Sequence, residues 1–143
     1  MLAQYTGTVL SYLPDIPLGK IIIVKPESSV STGEAYKAFD SAERIRHLDR
    51  AGILDAVMKG DSSGVYSRVD NVFEQFIDVP ERIAIKAAMR KHGAVCCCMS
   101  GSGPSVFGIF ENEKDAENCF EELKKDFRQV FLCNAVRSGT EVL

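Results

Sequence analysis

Residues 96 to 110, CCCMSGSGPSVFGIF, set three consecutive thiols beside a serine–glycine loop. Thiolates bind soft metals and carry redox chemistry. A Ser/Gly run instead presents backbone N–H groups with little side-chain obstruction, which suits an anion. The five cysteines, Cys96, Cys97, Cys98, Cys119 and Cys133, are odd in number and show no C-x-x-C spacing with histidine partners, so neither a disulfide framework nor a zinc site is expected. Along a strand Cys96 and Cys98 share one face and Cys97 takes the other, a poor arrangement for one tetrahedral ion. Free cysteine packs as a small hydrophobe, and these are expected to be unlinked, metal-free core residues. The loop SGSGPS, residues 100 to 105, is not a Walker loop, because no Lys-Ser/Thr pair follows. Nor is it a dinucleotide fingerprint, because a strand follows it instead of a helix. It is either a tight turn that needs glycine at positive φ, or an anion-binding concavity formed by its successive backbone N–H groups.

A second chemical candidate is STGEAY, residues 31 to 36. If helical, it sets the Thr32 hydroxyl and the Tyr36 ring on one face, able to hold a planar base by a hydrogen bond and stacking. The plain alternative is a helix cap and a core tyrosine. His47 and His92 read as surface or helix-end residues, the latter suited to the dipole at a helix C-terminus. No Ser/His/Asp or Cys/His nucleophile constellation can be assembled, so no catalytic residue is assigned.

The elements that must hold these groups follow from periodicity. The run GKIIIVKP, 19 to 26, is a β-branched strand stopped by Pro26. Ser31 or Thr32 can cap a short helix with Glu34 in its first turn. Residues 41 to 78 show helical spacing broken by AGI and KGDSSG, hence several short helices. From Pro80 a helix runs to KHG. AVCCCM and SVFGIF are strands whose connection is too brief for a crossover, and so antiparallel. Residues 113 to 127 form an amphipathic helix, QVFLCNAV a last strand, and RSGTEVL a polar tail. This order implies an α+β sandwich, an antiparallel sheet with helices on one face, in the ferredoxin-like arrangement. Residues 1 to 13 look like a strand and turn with nothing before them to pair with.

With 143 residues, 45% of them hydrophobic, one domain spanning 1 to 143 can bury its own core. A net charge of −3 with no basic run leaves a nucleic-acid role unsupported. No apolar run approaches the ~18 residues of a membrane span, and the N-terminus lacks the features of a secretory signal, so a cytoplasmic location is expected.

Three segments, IIIVKPESSVSTGEAYKAFD, SRVDNVFE and AIKAAMRKHGAVCCCMSGSGPSVFGIFENEKDAENCFEEL, together resemble the C-terminal half of the 4-diphosphocytidyl-2-C-methyl-D-erythritol kinases, a family of GHMP small-molecule kinases. AQYTGTVLSYL, residues 3 to 13, resembles the segment that follows that family's catalytic half, with Tyr5 and Thr8 in place of its usual Gly and Glu. On that resemblance residues 1 to 13 are a remnant of the junction with an N-terminal ATP-binding domain, which holds the phosphate loop and the catalytic Lys and Asp. The resemblance further implies ATP and Mg2+ as cofactors of the complete enzyme, none bound to this chain alone, and a cytidylyl sugar-alcohol as substrate. Thr32 and Tyr36 match positions that contact the cytidine. Gly101, Ser102 and Gly103 match the segment beside the phosphate loop. The isolated chain is expected to be inactive. The contrasting reading is a non-catalytic ferredoxin-like module that binds a ligand or dimerises.

Overall fold

The computed structural model describes residues 2–17 and 19–136; the tail RSGTEVL, 137 to 143, lies outside the described residues. The chain divides into two compact units, Met1–Pro17 with Asp49–Val69, and Leu18–Leu48 with Asp70–Leu143.

In the first unit, residues 2 to 11 find their partner within themselves. Strands β1 (Leu2–Gln4) and β2 (Val9–Ser11) pair antiparallel, Ala3 opposite Leu10, through a turn that holds Tyr5 at φ +56° and Gly7 at +81°. The sequence reading had one strand without a partner; the hairpin supplies it. Two helices complete the unit. In α2 (Arg50–Lys59) the Asp49 carboxylate accepts from the Gly52 N–H, and in α3 (Ser62–Tyr66) Asp61 accepts from the Gly64 N–H, each at 2.9 Å. Both satisfy donors that a helix start leaves open.

The second unit is the sheet. β3 (Lys20–Lys25), β4 (Cys96–Met99), β5 (Val106–Phe110) and β6 (Gln129–Asn134) lie in the order β4-β5-β3-β6, every neighbouring pair antiparallel. Three further helices, α1 (Thr32–Asp40), α4 (Pro80–Lys91) and α5 (Glu113–Asp126), and a 3-10 turn, Val72–Gln75, belong to this unit. The strand order and the placing of α4 and α5 give the expected α+β ferredoxin-like sheet. Residues 41 to 49 differ from the helical expectation: α2 starts only at Arg50, and the backbone of Arg46 is held by Gln75, whose side chain accepts from its N–H and donates to its carbonyl, both at 3.0 Å.

Pairing register decides which side chains meet. Ile22 lies opposite Gly108, and Gly108 opposite Cys97, so Ile22, Val24, Cys97, Val106 and Phe110 share one face. With Ile85 and Met89 of α4 and Ala116, Cys119 and Leu123 of α5 they form the core, nearly all of it sealed from solvent. The two helices are also tied at their ends, where Glu122 accepts from Lys91 Nζ and bonds His92 Nε2, both at 2.9 Å. His92 caps α4, as its place beside Gly93 suggested. Among the described residues, no helix is long and apolar enough to cross a membrane.

The cysteines are free thiols, and the triplet alternates as a strand requires. Cys97 turns toward α4, its Sγ 3.9 Å from the Lys86 carbonyl, while Cys96 and Cys98 are buried on the opposite face. Burial pushes the thiols of Cys96 and Cys119 up to about 11. Cys98, buried and near the Glu74 carboxylate as well, rises to about 12.

A group whose folded pKa is raised keeps its proton in the native state after the unfolded chain has lost it. These thiols therefore cost nothing below about pH 8.5, the ordinary thiol value, and erode stability as pH climbs from there toward 11 to 12. Urea midpoints measured in reducing buffer are expected to fall across that window, and to fall less steeply in Cys98→Ala. Equal slopes in the two proteins would count against the thiols as the cause.

Candidate functional site

Helix α1 begins at Thr32 because Ser31 caps it: its hydroxyl accepts from the Glu34 N–H at 3.4 Å, and Glu34 sits in the first turn, where the dipole favours a carboxylate. Ala35 is the buried anchor of the helix. Thr32 and Tyr36, one turn apart, both face solvent. Tyr36 is 55% exposed, which excludes the core-tyrosine alternative. Its ring makes an edge contact with Phe73, centroids 5.1 Å apart, and Phe39 packs on Phe73 and Phe76 behind it.

The loop 100 to 105 is a structured turn. Ser100 N–H donates to the Ser105 carbonyl at 2.8 Å, and Gly103 N–H donates to the Ser100 carbonyl at 3.0 Å. Gly101 stands at φ +56° and Gly103 at +92°, the left-handed region where a side chain is strained. A Cβ on Gly103 would also lie 2.8 Å from Met99 Sδ. The Gly103–Pro104 peptide is cis. Among the described residues the N–H groups of Gly101 and Ser102 have no acceptor, so two donors remain available to an outside group.

The fold brings the two candidate segments together. Thr32 Oγ1 lies 3.0 Å from Ser102 Oγ, although 70 residues separate them. One small area of surface therefore gathers two hydroxyls, two free amides and an exposed ring. That set can bind an aromatic base and accept hydrogen bonds from, or donate them to, a polar chain attached to it.

Sequence reasoning did not single out the residues that support this surface, though Asp70, Asn71 and Glu74 all lie in the SRVDNVFE segment. Asn71 Nδ2 donates to the carbonyls of both Met99 and Gly101 at 2.7 Å, while its Oδ1 accepts from the Phe73 N–H at 3.0 Å and caps the 3-10 turn. Glu74 Oε1 accepts from the Met99 N–H at 2.6 Å, and its carboxylate pairs with Lys86 at 2.7 Å. Burial pushes the Glu74 carboxyl up, but hydrogen bonds from Lys86 and the Met99 amide, with the Lys86 charge, outweigh it and hold the group below its usual range. Asp70 is held down in the same way, its burial outweighed by Arg46 at 2.6 Å and the Asn71 amide. A DNxxE run before a Pro-led helix is the only local signal, and it reads equally well as a cap. His47 is exposed and takes no part in any of these contacts.

The fold is that of a known class: residues 65–129 match the family model "GHMP kinases C terminal", so the chain carries a C-terminal domain of the GHMP kinase type. Within that class it matches the C-terminal half of 4-diphosphocytidyl-2-C-methyl-D-erythritol kinases. It is 40% identical over 134 residues to the enzyme of that name from Lachnospira eligens, covering 91% of this chain and 46% of the relative. To that of Alkaliphilus oremlandii it is 35% identical over 144 residues, covering 99% of the chain and 49% of the relative. The chain thus spans about half the length of the curated relatives it matches. Among solved structures, a homoserine kinase from Cytophaga hutchinsonii aligns over 85% of this chain and 44% of its own, with TM-score 0.64 at 23% identity. A 4-(cytidine 5'-diphospho)-2C-methyl-D-erythritol kinase aligns over 82% of this chain and 42% of its own, with TM-score 0.63 at 24% identity. At those identities the structures establish the shared fold.

The Glu74–Lys86 pair is mostly shielded, with 17% and 15% of the side chains exposed, so removing one partner strands the other. Glu74→Ala is expected to lower stability by about 2 kcal/mol, having also freed the Met99 amide. The double variant Glu74→Ala/Lys86→Ala should fall short of the sum of the single changes by about 1 kcal/mol. Denaturant titration of the three proteins measures both.

Proposed function

We propose that this chain is the substrate-binding half of an ATP-dependent kinase that phosphorylates the 2-hydroxyl of 4-diphosphocytidyl-2-C-methyl-D-erythritol, a step of non-mevalonate isoprenoid synthesis. The observation that carries the reading is the meeting of Thr32 and Ser102 beside the exposed Tyr36 ring, in a chain similar to kinases of that name. Tyr36 stacks on the cytosine and Thr32 hydrogen-bonds the cytidine portion. The loop Gly101, Ser102 and Gly103 borders the phosphates, with the free amides of Gly101 and Ser102 supplying fixed dipoles to an anion. Phosphoryl transfer is largely positioning and charge neutralisation, so a half that fixes the acceptor contributes to the rate even though ATP and Mg2+ are held by other residues. The ATP-binding half is accordingly the partner of this one. Five free thiols suit a reducing, cytoplasmic compartment.

The test uses the kinase with its ATP-binding half in place. Tyr36→Ala should raise KM for the cytidylyl substrate by roughly 10- to 100-fold, consistent with the ~1–3 kcal/mol a base stacked on an aromatic contributes, and Tyr36→Phe should be nearly silent. An unchanged KM in a folded Ala variant would return Tyr36 to a packing role. The 143 residues alone should show no substrate-dependent ATP turnover, because the groups that activate the hydroxyl and hold ATP are not among those described.

A further inference from the structure

β4 is an edge strand, and at its last residue the outward N–H and C=O of Met99 would be left for water or for another chain. Neither is open. Asn71 donates to the Met99 carbonyl at 2.7 Å, and Glu74 accepts from the Met99 N–H at 2.6 Å, so one short segment stands in for a neighbouring strand. Asn71 does more than close an edge. The same Nδ2 also donates to the Gly101 carbonyl at 2.7 Å, bridging the strand end to the left-handed residue where the loop departs. The orientation of the amide is fixed by its surroundings, since two carbonyls face one end and the Phe73 N–H faces the other. With the Gly101 carbonyl tied inward, the peptide plane it shares with the Ser102 N–H is set, while the Gly101 N–H lies in the plane of the Ser100 carbonyl, which the Gly103 N–H holds at 3.0 Å.

We infer that Asn71, backed by Glu74, is a positioning residue: its bridge from Met99 to Gly101 fixes the Gly101–Gly103 loop in the form that presents free amides and brings Ser102 to Thr32. The inference about loop geometry stands on these contacts alone; its consequence for turnover rests on the kinase reading above. Asn71 need touch neither substrate nor nucleotide to act. It holds the loop as a preformed surface, so that ordering it is not left to the moment of binding.

The discriminating variant is Asn71→Asp. It keeps the acceptor that caps the Phe73 N–H but loses both donors and sets a carboxylate against two carbonyls. Amide hydrogen exchange of the 143-residue chain should become about tenfold faster or more at Met99, Ser100 and Gly103, whose N–H groups are bonded in the wild type, while amides of β3 and α5 keep their protection. Unchanged exchange at those three residues overturns the inference, and so does an equal loss across all elements, which marks a stability role only. Should Asp unfold the chain, Asn71→Ser, which retains a cap acceptor but is too short to bridge both carbonyls, gives the same reading. In the complete kinase, Asn71→Asp should lower kcat about tenfold with KM for the cytidylyl substrate held within about threefold. A KM rise with kcat unchanged contradicts a positioning role. If the wild-type kinase proves inactive on that substrate, the functional assignment fails while the exchange result still decides the loop's support.

Discussion

The structure of the site depends on how one strand edge is closed. β4 pairs with β5 on one side only, and the Met99 peptide groups on the other must find partners or remain a template for aggregation. Side chains from residues 71 to 74 supply those partners, and this choice has consequences beyond edge protection. It demands a carboxylate in a mostly shielded position, which in turn demands Lys86 from α4 to neutralise it. It brings an aromatic, Phe73, up against Tyr36 of α1. The closure of the edge, the shape of the loop and the seat of α1 are thus one piece of construction.

The same economy explains the cysteine triplet. Small apolar side chains are wanted on both faces of a strand that is covered on both, and cysteine meets that need at low volume. Cys97 occupies a thin place in the core, opposite Gly108. Cys98 has Glu74 as a neighbour, and a thiol held neutral by burial tolerates a carboxylate that a thiolate would not. The cysteines therefore serve the scaffold of the sheet.

The kinase reading gives this arrangement a purpose. An acceptor hydroxyl must be held within near-attack distance of a phosphoryl group, and small errors of position are costly. A loop anchored by its own turn bonds, two left-handed glycines and an outside amide is a stiff border for such a reaction, and the exposed Tyr36 beside it offers a wide flat contact at little cost in rotamer entropy.

Much of the architecture was legible in the sequence because it is set locally. The β-branched run at Lys20–Lys25 stopped by Pro26, the stripe of Ala116, Cys119 and Leu123, the Pro-led start of α4 and the short Gly-rich link between β4 and β5 each specify an element or a pairing without reference to distant residues. The need for glycine at 101 and 103 was foreseeable for the same reason. The early hairpin was missed because three-residue strands carry too little pattern to show that they pair with each other, and the irregular 41 to 49 segment because its order comes from Gln75 instead of a helical ladder. Only the tertiary structure could bring Thr32 within 3.0 Å of Ser102, or show that Asn71 and Glu74 close the edge of β4. Those contacts join residues 25 to 70 positions apart, and no local propensity records a hydrogen bond whose partner is chosen by strand order and by the side of the sheet on which a helix lands.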